Sequence, residues 1–262
     1  MPTIHAFAAV HPKAHLAEDV VVGPFCQIEE GVTIGPGTVI ESHVAIKRNT
    51  TLGARCYVAQ GAILGGDPQD KGYKGEETFL VIGDDCVLRE YVTIHRGSRE
   101  GNVTRVGNNC YLMAYCHLGH DVTLHDSITI ANSVGVSGHV TIETMANIGG
   151  MVGVHQYVRI GKYSMVGGLS KIVRDVPPFM LVEGIEQQVR DINAVGLRRL
   201  GVSAKDRLAL HKAAKLLFKS QLGLTHALDI VRREVPHTAE VEYLIQFQER
   251  LFKGKSGRGD QP

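Results

Sequence analysis

The sequence has no tryptophan, only 9 prolines and no apolar run approaching the roughly 18 residues that a membrane span needs. The proline count excludes collagen, and the missing run excludes a spanning helix. No basic stretch followed by an apolar one opens the chain, so nothing directs secretion and a cytoplasmic location is expected. Charge of one sign is missing too. Lys and Arg number 28 against 27 Asp and Glu, and the formal net charge of +1 advertises neither nucleic acid nor an anionic membrane as a partner. The five cysteines are odd in number and hold no C-x-x-C pair, which argues against a disulfide framework and against zinc or redox chemistry. What remains is 44% hydrophobic and 21% charged, a globular composition rather than a disordered one. Its 30 glycines call for a reason.

A repeat supplies one. Counting in steps of six from Ile4, 26 of the 29 positions up to Ile172 are Ile, Leu or Val, and the exceptions are Asp70, Glu76 and Glu100. Ten of the residues directly after the 26 aliphatic positions are glycine, between Gly23 and Gly167, which suits tight corners. The fourth residue after each aliphatic one is small or β-branched, as at Ala14, Val32, Thr38, Val140 and Ser164, so two side chains in every six point inward. A helix needs a period near 3.6, and an ordinary sandwich strand alternates only briefly before a turn. A parallel β-helix keeps a six-residue register, with each unit a short strand plus a corner. Cys26, Cys56, Cys86, Cys110 and Cys116 all take the fourth-after place and read as core filler. The pattern resembles that of the hexapeptide-repeat proteins. The resemblance implies three units per coil, a triangular prism and left-handed winding, against the usual right-handed rule for parallel crossovers. About ten coils at ~4.8 Å each would stack to a rod of roughly 45–50 Å.

Two polar stretches, 65–80 (GGDPQDKGYKGEETFL) and 96–105 (RGSREGNVTR), interrupt the prism and read as loops that replace coil units. If equivalent positions recur every three units, the units beginning at Leu118, Val136 and Val154 stack on one another. His120, His139 and His155 then share one side of the rod, with His117 at the corner leading in and the loop after Leu64 leaving from the same face. Single histidines such as His5, His11, His15 and His43 read as surface residues; the stacked group is a candidate site. A zinc site like that of trimeric hexapeptide carbonic anhydrases would pair His120 with His125 and need a third histidine where Asp84 and Asp85 stand. Zinc is therefore demoted and no metal ligand is assigned.

The β-helix is expected over 1–186 and a small α-helical C-terminal domain over 187–262. Ser203 and Asp206 form a capping signal for a first helix ended by Gly223. Thr225 to Glu234 and Thr238 to Lys253 read as two more, divided by Pro236, and the tail GKSGRGDQP reads as disordered. Val189 to Pro262 holds 14 basic and 8 acidic residues, a net of +6, while Met1 to Gln188 holds 14 and 19, a net of −5. The basic segment, with its Lys212, Lys215 and Lys219 stripe, suits an acidic partner.

The blocks LGHD (Leu118 to Asp121), Gly138-His139, GGMVGVHQYVRIG (Gly149 to Gly161), TIHRG (Thr93 to Gly97) and DVPPF (Asp175 to Phe179), in this order over nearly the whole chain, resemble the UDP-N-acetylglucosamine O-acyltransferases of lipid A biosynthesis. The resemblance implies a homotrimer with active sites between neighbouring prisms. Its reaction is transfer of a (R)-3-hydroxyacyl group from acyl carrier protein to the 3-hydroxyl of UDP-GlcNAc, with no cofactor and no covalent acyl-enzyme. By the same resemblance His120 is the general base, Asp121 its orienting partner, and the N–H of Gly138 the oxyanion donor. Asp70, His117, His139, His155 and Gln156 are assigned to sugar, phosphate, pantetheine and acetamido contacts, and Asn193 and Arg199 to nucleotide and donor. Gly168 matches the acyl-chain ruler and favours a chain of about fourteen carbons over ten, with Leu169 and Glu186 also at the groove. Three positions depart from the pattern. Gly72 stands where a lysine is common, between Lys71 and Lys74; Val195 replaces a glutamate; and Leu200 replaces one of a basic pair. The alternatives are the zinc hydratase and the N-acyltransferase of the same pathway. The latter carries an extra N-terminal domain, whereas here the repeat begins at Ile4. Some relatives form an amide on a 3-amino sugar, a choice that these residues leave open.

Overall fold

The computed structural model covers residues 1–262. Each six-residue unit folds into a strand of about two residues followed by a corner, and every third strand pairs in parallel with its predecessor. Thr3–Ile4, Val21–Val22 and Val39–Ile40 begin the first sheet, Ala9–Val10, Gln27–Ile28 and Ala45–Ile46 the second, and His15–Leu16, Thr33–Ile34 and Thr50–Leu52 the third. The three sheets wall a left-handed parallel β-helix. Inside it the aliphatic positions stack directly: Ile94, Leu118, Val136, Val154 and Ile172 are successive partners in the second sheet and all are buried. The five cysteines are buried and free, as their fourth-after place implies. Their thiols donate to backbone carbonyls, Cys86 Sγ to Gly107 O at 3.1 Å for example.

The corner glycines act differently from the sequence expectation. Apart from Gly65 (76°), positive φ falls not on the residue after the aliphatic position but two residues later, and mostly on non-glycine residues such as Phe25 (60°), Tyr115 (63°) and Tyr163 (59°). Each such residue costs roughly 1–2 kcal/mol in backbone strain. A hydrogen bond to the preceding coil offsets that cost, as from Tyr163 N to Thr144 O at 3.1 Å. The post-strand glycines are required by closeness. A Cβ on Gly149 would lie 2.5 Å from Gly168 N, and one on Gly35 would lie 2.7 Å from Gly53 C, because successive backbones pass directly over each other there.

The two loops also differ in kind from the expectation. Leu64 pairs with Ile94, 30 residues on, and Ile82 with Val106, 24 residues on. The loops are thus insertions of 12 and 6 residues into 18-residue coils, not replacements of units. Both lengths are multiples of six, so the phase of the repeat hides them. Leu64 lies two coils below Leu118 rather than three.

At the end of the prism Met180–Glu183 adds to the first sheet and turns back as the antiparallel Gln188–Ile192. Helices α1 (Ala194–Arg199), α2 (Ala204–Phe218), α3 (Leu224–Glu234) and α4 (Ala239–Lys253) follow. Helix α1 is an addition to the sequence reading. Ser203 caps α2 by accepting from Asp206 N, whereas Gly223 is the N-cap of α3 and not the stop of α2, whose C-cap is Lys219. The helices share one continuous core with the prism, in which Leu210, Ala213, Val231 and Leu244 join the coil interior. The buried Phe179 of DVPPF sits edge-on between Tyr163 and Tyr243 at that seam. No helix is long and apolar enough to cross a membrane.

The C-terminal tail is docked, contrary to the expectation of disorder. The Asp175 carboxylate accepts from Arg159 N (2.8 Å) and Gly259 N (2.9 Å). Arg258 donates to Val173 O at 2.7 Å, and Asp260 pairs with Arg159 at 2.7 Å. Burial pushes the Asp175 carboxyl up to about 6 against the pull of those two backbone donors. Partners more than 80 residues away hold this tail, so composition alone could not reveal them.

If closeness is what selects the post-strand glycines, Gly149→Ala should cost about 1–3 kcal/mol. Gly153→Ala, whose Cβ would meet nothing within 4 Å, should be neutral or stabilising by up to ~1 kcal/mol. Thermal and urea unfolding of both variants checks this, and equal destabilisation would contradict it.

Candidate active site

At the corners between the second and third sheets, consecutive coils place Asp121, His139 and Tyr157 in one column, each with left-handed φ (60°, 61° and 65°). The residues just before them, His120, Gly138 and Gln156, form a parallel column. A Cβ on Gly138 would lie 2.6 Å from the His120 ring, so glycine at 138 makes room for the imidazole to lie across the next coil. The Gly138 carbonyl accepts from Tyr157 N at 3.2 Å, while its N–H donates to no protein acceptor. A free donor and an imidazole thus meet at one corner.

His120 Nδ1 lies 2.8 Å from Asp121 Oδ2. The same carboxylate accepts from Ser98 Oγ (2.6 Å) and Asn102 Nδ2 (2.8 Å), both of the second loop, and Asp121 N donates to Thr104 Oγ1 (2.8 Å). Burial would raise the Asp121 carboxyl. The hydrogen bonds from His120 and Ser98, with the nearby His139, overcome that and hold it at about 2. Asp121 is therefore an anion at any working pH, and its hydrogen bond keeps the His120 proton on Nδ1, leaving the Nε2 lone pair free. His139 stacks flat on Tyr157 with centroids 4.6 Å apart and approaches Asp121 Oδ2 at 3.7 Å. Burial, ahead of all other influences, pushes the imidazoles of His139, His117 and His95 below their usual range.

A cavity of about 570 Å³ opens beside this corner over the second sheet. His117, His120, Gly138, His155 and Gln156 all line it. His117 is not at a corner but on strand His117–Leu118, where its outward side chain meets Thr93 Oγ1 at 2.8 Å. His155 Nδ1 lies 3.0 Å from Gln156 O. The first loop is pinned over the site by the buried Arg96, which bonds Gly65 O, Asp67 and Tyr73. This brings Asp70 close enough to act on His139 through space. Arg99 of the second loop pairs with Asp70 at 3.7 Å, and its guanidinium occupies the space that a side chain at Gly72 would enter.

Asn193, Arg199 and Gly168 are not brought to His120. Asn193 caps α1 through Gly196 N, and with Arg199 it lines a second, mostly apolar cavity of about 880 Å³ on the first sheet. Gly168 sits at the edge between the first and second sheets, its Cβ position 3.3 Å from Gly150 O. Within one chain these groups face away from the imidazole corner.

Ser98, Asn102, Thr104 and Tyr157 support the site but escaped sequence reasoning. Ser98 follows TIHRG directly, and only the fold shows that this loop reaches Asp121. His120, Asp121 and His139 offer ligand atoms within 4.8 Å of one another. Because the Asp121 oxygens already accept from three side chains, the hydrogen-bonded pair is favoured over metal ligation. Asp85 pairs with Arg55 and Asp84 Oδ1 accepts from Ala54 N, so neither supplies the third zinc position considered above.

Residues 175–259 match the family described as "Udp N-acetylglucosamine O-acyltransferase; Domain 2", and 13–48 and 25–60 match "Bacterial transferase hexapeptide (six repeats)". The chain is similar to a protein of Halorhodospira halophila named acyl-(acyl-carrier-protein)–UDP-N-acetylglucosamine O-acyltransferase, with 46% identity over 97% of this chain and 99% of that one. A protein of the same name from Thermodesulfovibrio yellowstonii is 42% identical over the same shares. Among solved structures, LpxA from Acinetobacter baumannii superposes with a TM-score of 0.90 at 40% identity, covering 94% of this chain and 96% of that one. The UDP-N-acetylglucosamine acyltransferase of Bacteroides fragilis does so at 0.89 and 34% identity, with the same coverage. The chain belongs to the UDP-N-acetylglucosamine O-acyltransferase family.

Proposed function

We propose that this protein transfers a (R)-3-hydroxyacyl group from acyl carrier protein to the 3-hydroxyl of UDP-GlcNAc, with His120 as general base. The observation that carries the mechanism is the His120 ring, tethered through Nδ1 to an ionised Asp121 beside the free N–H of Gly138. The Nε2 lone pair takes the sugar hydroxyl proton as the oxygen attacks the thioester carbonyl carbon. The carbonyl electron pair moves to oxygen, and Gly138 N–H donates to that oxyanion. Collapse breaks the C–S bond, and the departing thiolate of the carrier protein's prosthetic arm takes the proton back from His120. Asp121 stabilises the imidazolium in between. Asp70, His117, His139, His155 and Gln156 surround the acceptor sugar and the phosphate- and pantetheine-bearing parts of the two substrates.

The separation of Asn193 and Arg199 from His120 supports a homotrimer. A neighbouring prism that presents its first sheet to the imidazole corner would complete the nucleotide and donor contacts with its own Asn193 and Arg199. Gly168, on an edge where any side chain would project outward, would then set the length of the acyl channel, for a chain of about fourteen carbons. Lys212, Lys215 and Lys219 are exposed on α2 and form no ion pair within 4.0 Å, a surface suited to the acidic carrier protein.

His120→Ala should lose at least ~10²-fold in kcat. Asp121→Asn, whose amide can donate to Nδ1 and force the proton to Nε2, should lose about 10²- to 10⁴-fold. Chains carrying His120→Ala, co-assembled with chains carrying both Asn193→Ala and Arg199→Ala, should regain part of the activity that neither has alone; no recovery in purified mixed oligomers would exclude a site shared between chains. In competition between C10, C12 and C14 donors the C14 donor should react fastest, and Gly168→Met should shift the preference to C10. Fastest transfer of C10 by the unaltered protein would reject the ruler. Replacing the three lysines by glutamate should raise KM for the acyl carrier protein about tenfold at low salt. An unchanged KM would remove this surface as the dock.

A further inference from the structure

The second sheet carries an unusual outward column above the catalytic corner. The partners in register after His117 are Gly135, Gly153 and Lys171. Side chains added at Gly135 and Gly153 would meet nothing within 4 Å, so these glycines are not there for backbone packing. They leave a bare track two coils long, roughly 10 Å at ~4.8 Å per coil, that forms the floor of the 570 Å³ cavity. Lys171 closes the upper end of that track and lines the same cavity. Its ammonium forms no ion pair within 4.0 Å and no hydrogen bond, and it is the only Lys, Arg, Asp or Glu among the fifteen residues lining the cavity. Of the charged groups in the loops, Asp70 and Arg99 are paired with each other, and Asp121 at the corner is taken by His120, Ser98 and Asn102. His117 at the lower end is biased toward the neutral form by burial, so it offers a hydrogen bond without a fixed charge.

We propose that Lys171 is a phosphate-binding residue, whose ammonium reaches down the Gly153–Gly135 track to a phosphoryl group held in the cavity between itself and the histidines. A four-carbon stem covers about one coil of rise, which carries the ammonium over Gly153, beside His155 and Gln156. A compact ammonium with three donors suits a phosphoryl oxygen, and the empty floor admits a group that any larger side chain at 135 or 153 would exclude. This inference rests on the proposed function, under which both substrates bring such a group: the diphosphate of the nucleotide sugar, and the phosphodiester of the carrier protein's prosthetic arm.

Lys171→Met and Lys171→Arg separate the possibilities. The exposed stem of Lys171 packs in no core, so both variants should melt like the parent. With Met, KM for one of the two substrates should rise about tenfold while kcat stays within about threefold, and Arg should restore most of that loss. A rise confined to UDP-GlcNAc assigns the diphosphate; a rise confined to the acylated carrier protein assigns the prosthetic arm. Unchanged KM for both would overturn the proposal, as would a fall in kcat that Arg does not repair. Calorimetric titration with UDP and with inorganic pyrophosphate keeps this test apart from the functional reading. Binding of either probe that weakens in Lys171→Met would uphold the phosphate site even if no acyl transfer were found, whereas active transfer with no Lys171 dependence in any readout would reject the site and leave the reaction standing.

Discussion

The register between coils is the constraint on which everything else rests. Each strand is only about two residues long, too short to hold by itself, and it is fixed by hydrogen bonds to the coils above and below and by an aliphatic side chain stacked on its equivalents. Shifting one coil by a single residue would turn Leu118 outward and His117 into the core. The same operation that builds the interior therefore positions the surface. Residues far apart in sequence but equal in phase become neighbours at one strand spacing, on rigid backbone.

That geometry explains why the corner between the second and third sheets can hold the His120–Asp121 pair in a fixed place. The third corner residue is forced into left-handed backbone and tied to the preceding coil, so Asp121 and His139 project from fixed points despite the strain. The repeat gives the N–H of the residue before it no backbone acceptor, and at Gly138 no side chain takes it either. At several other corners a side chain of a neighbouring coil takes this N–H, as Asp84 Oδ1 takes Ala54 N and Asp126 Oδ1 takes Asn108 N. At 138 the lack of a side chain lets the His120 ring lie against the free N–H, which is the donor that the proposed mechanism assigns to the oxyanion. The second loop finishes the arrangement by giving the buried Asp121 carboxylate enough donors to remain charged.

How much of this was legible follows from the same physics. The aliphatic positions, the small fourth-after residues and the placing of His120, His139 and His155 on consecutive coils depend only on the period, and the period is written along the chain. Insertions in multiples of six leave phase intact, so the true coil lengths, and Leu64 lying two coils rather than three from Leu118, could not be read. The glycines were visible, but whether a glycine serves positive φ or close approach depends on the backbone passing above it, as at Gly149 under Gly168. Ser98 and Asn102 sit in a loop without periodicity, and the tail is held by Asp175 and Arg159 across most of the helical segment. Contacts of that kind have no sequence signature.

Charge is distributed to match the proposed chemistry. Burial keeps His117 and His139 toward neutrality, so they can orient a polyanionic substrate by hydrogen bonds without competing for the Asp121 anion that His120 needs. A second fixed cation packed against that carboxylate would weaken its hold on the imidazolium formed during transfer. The cations that are present stand off from it: Arg99 is spent on Asp70, Arg96 is buried beneath the first loop, and Lys171 lies beyond two glycine steps of the sheet. Under the proposed function, separation along the prism axis would let one cavity bind negative substrates at one end and keep its own negative charge in use at the other.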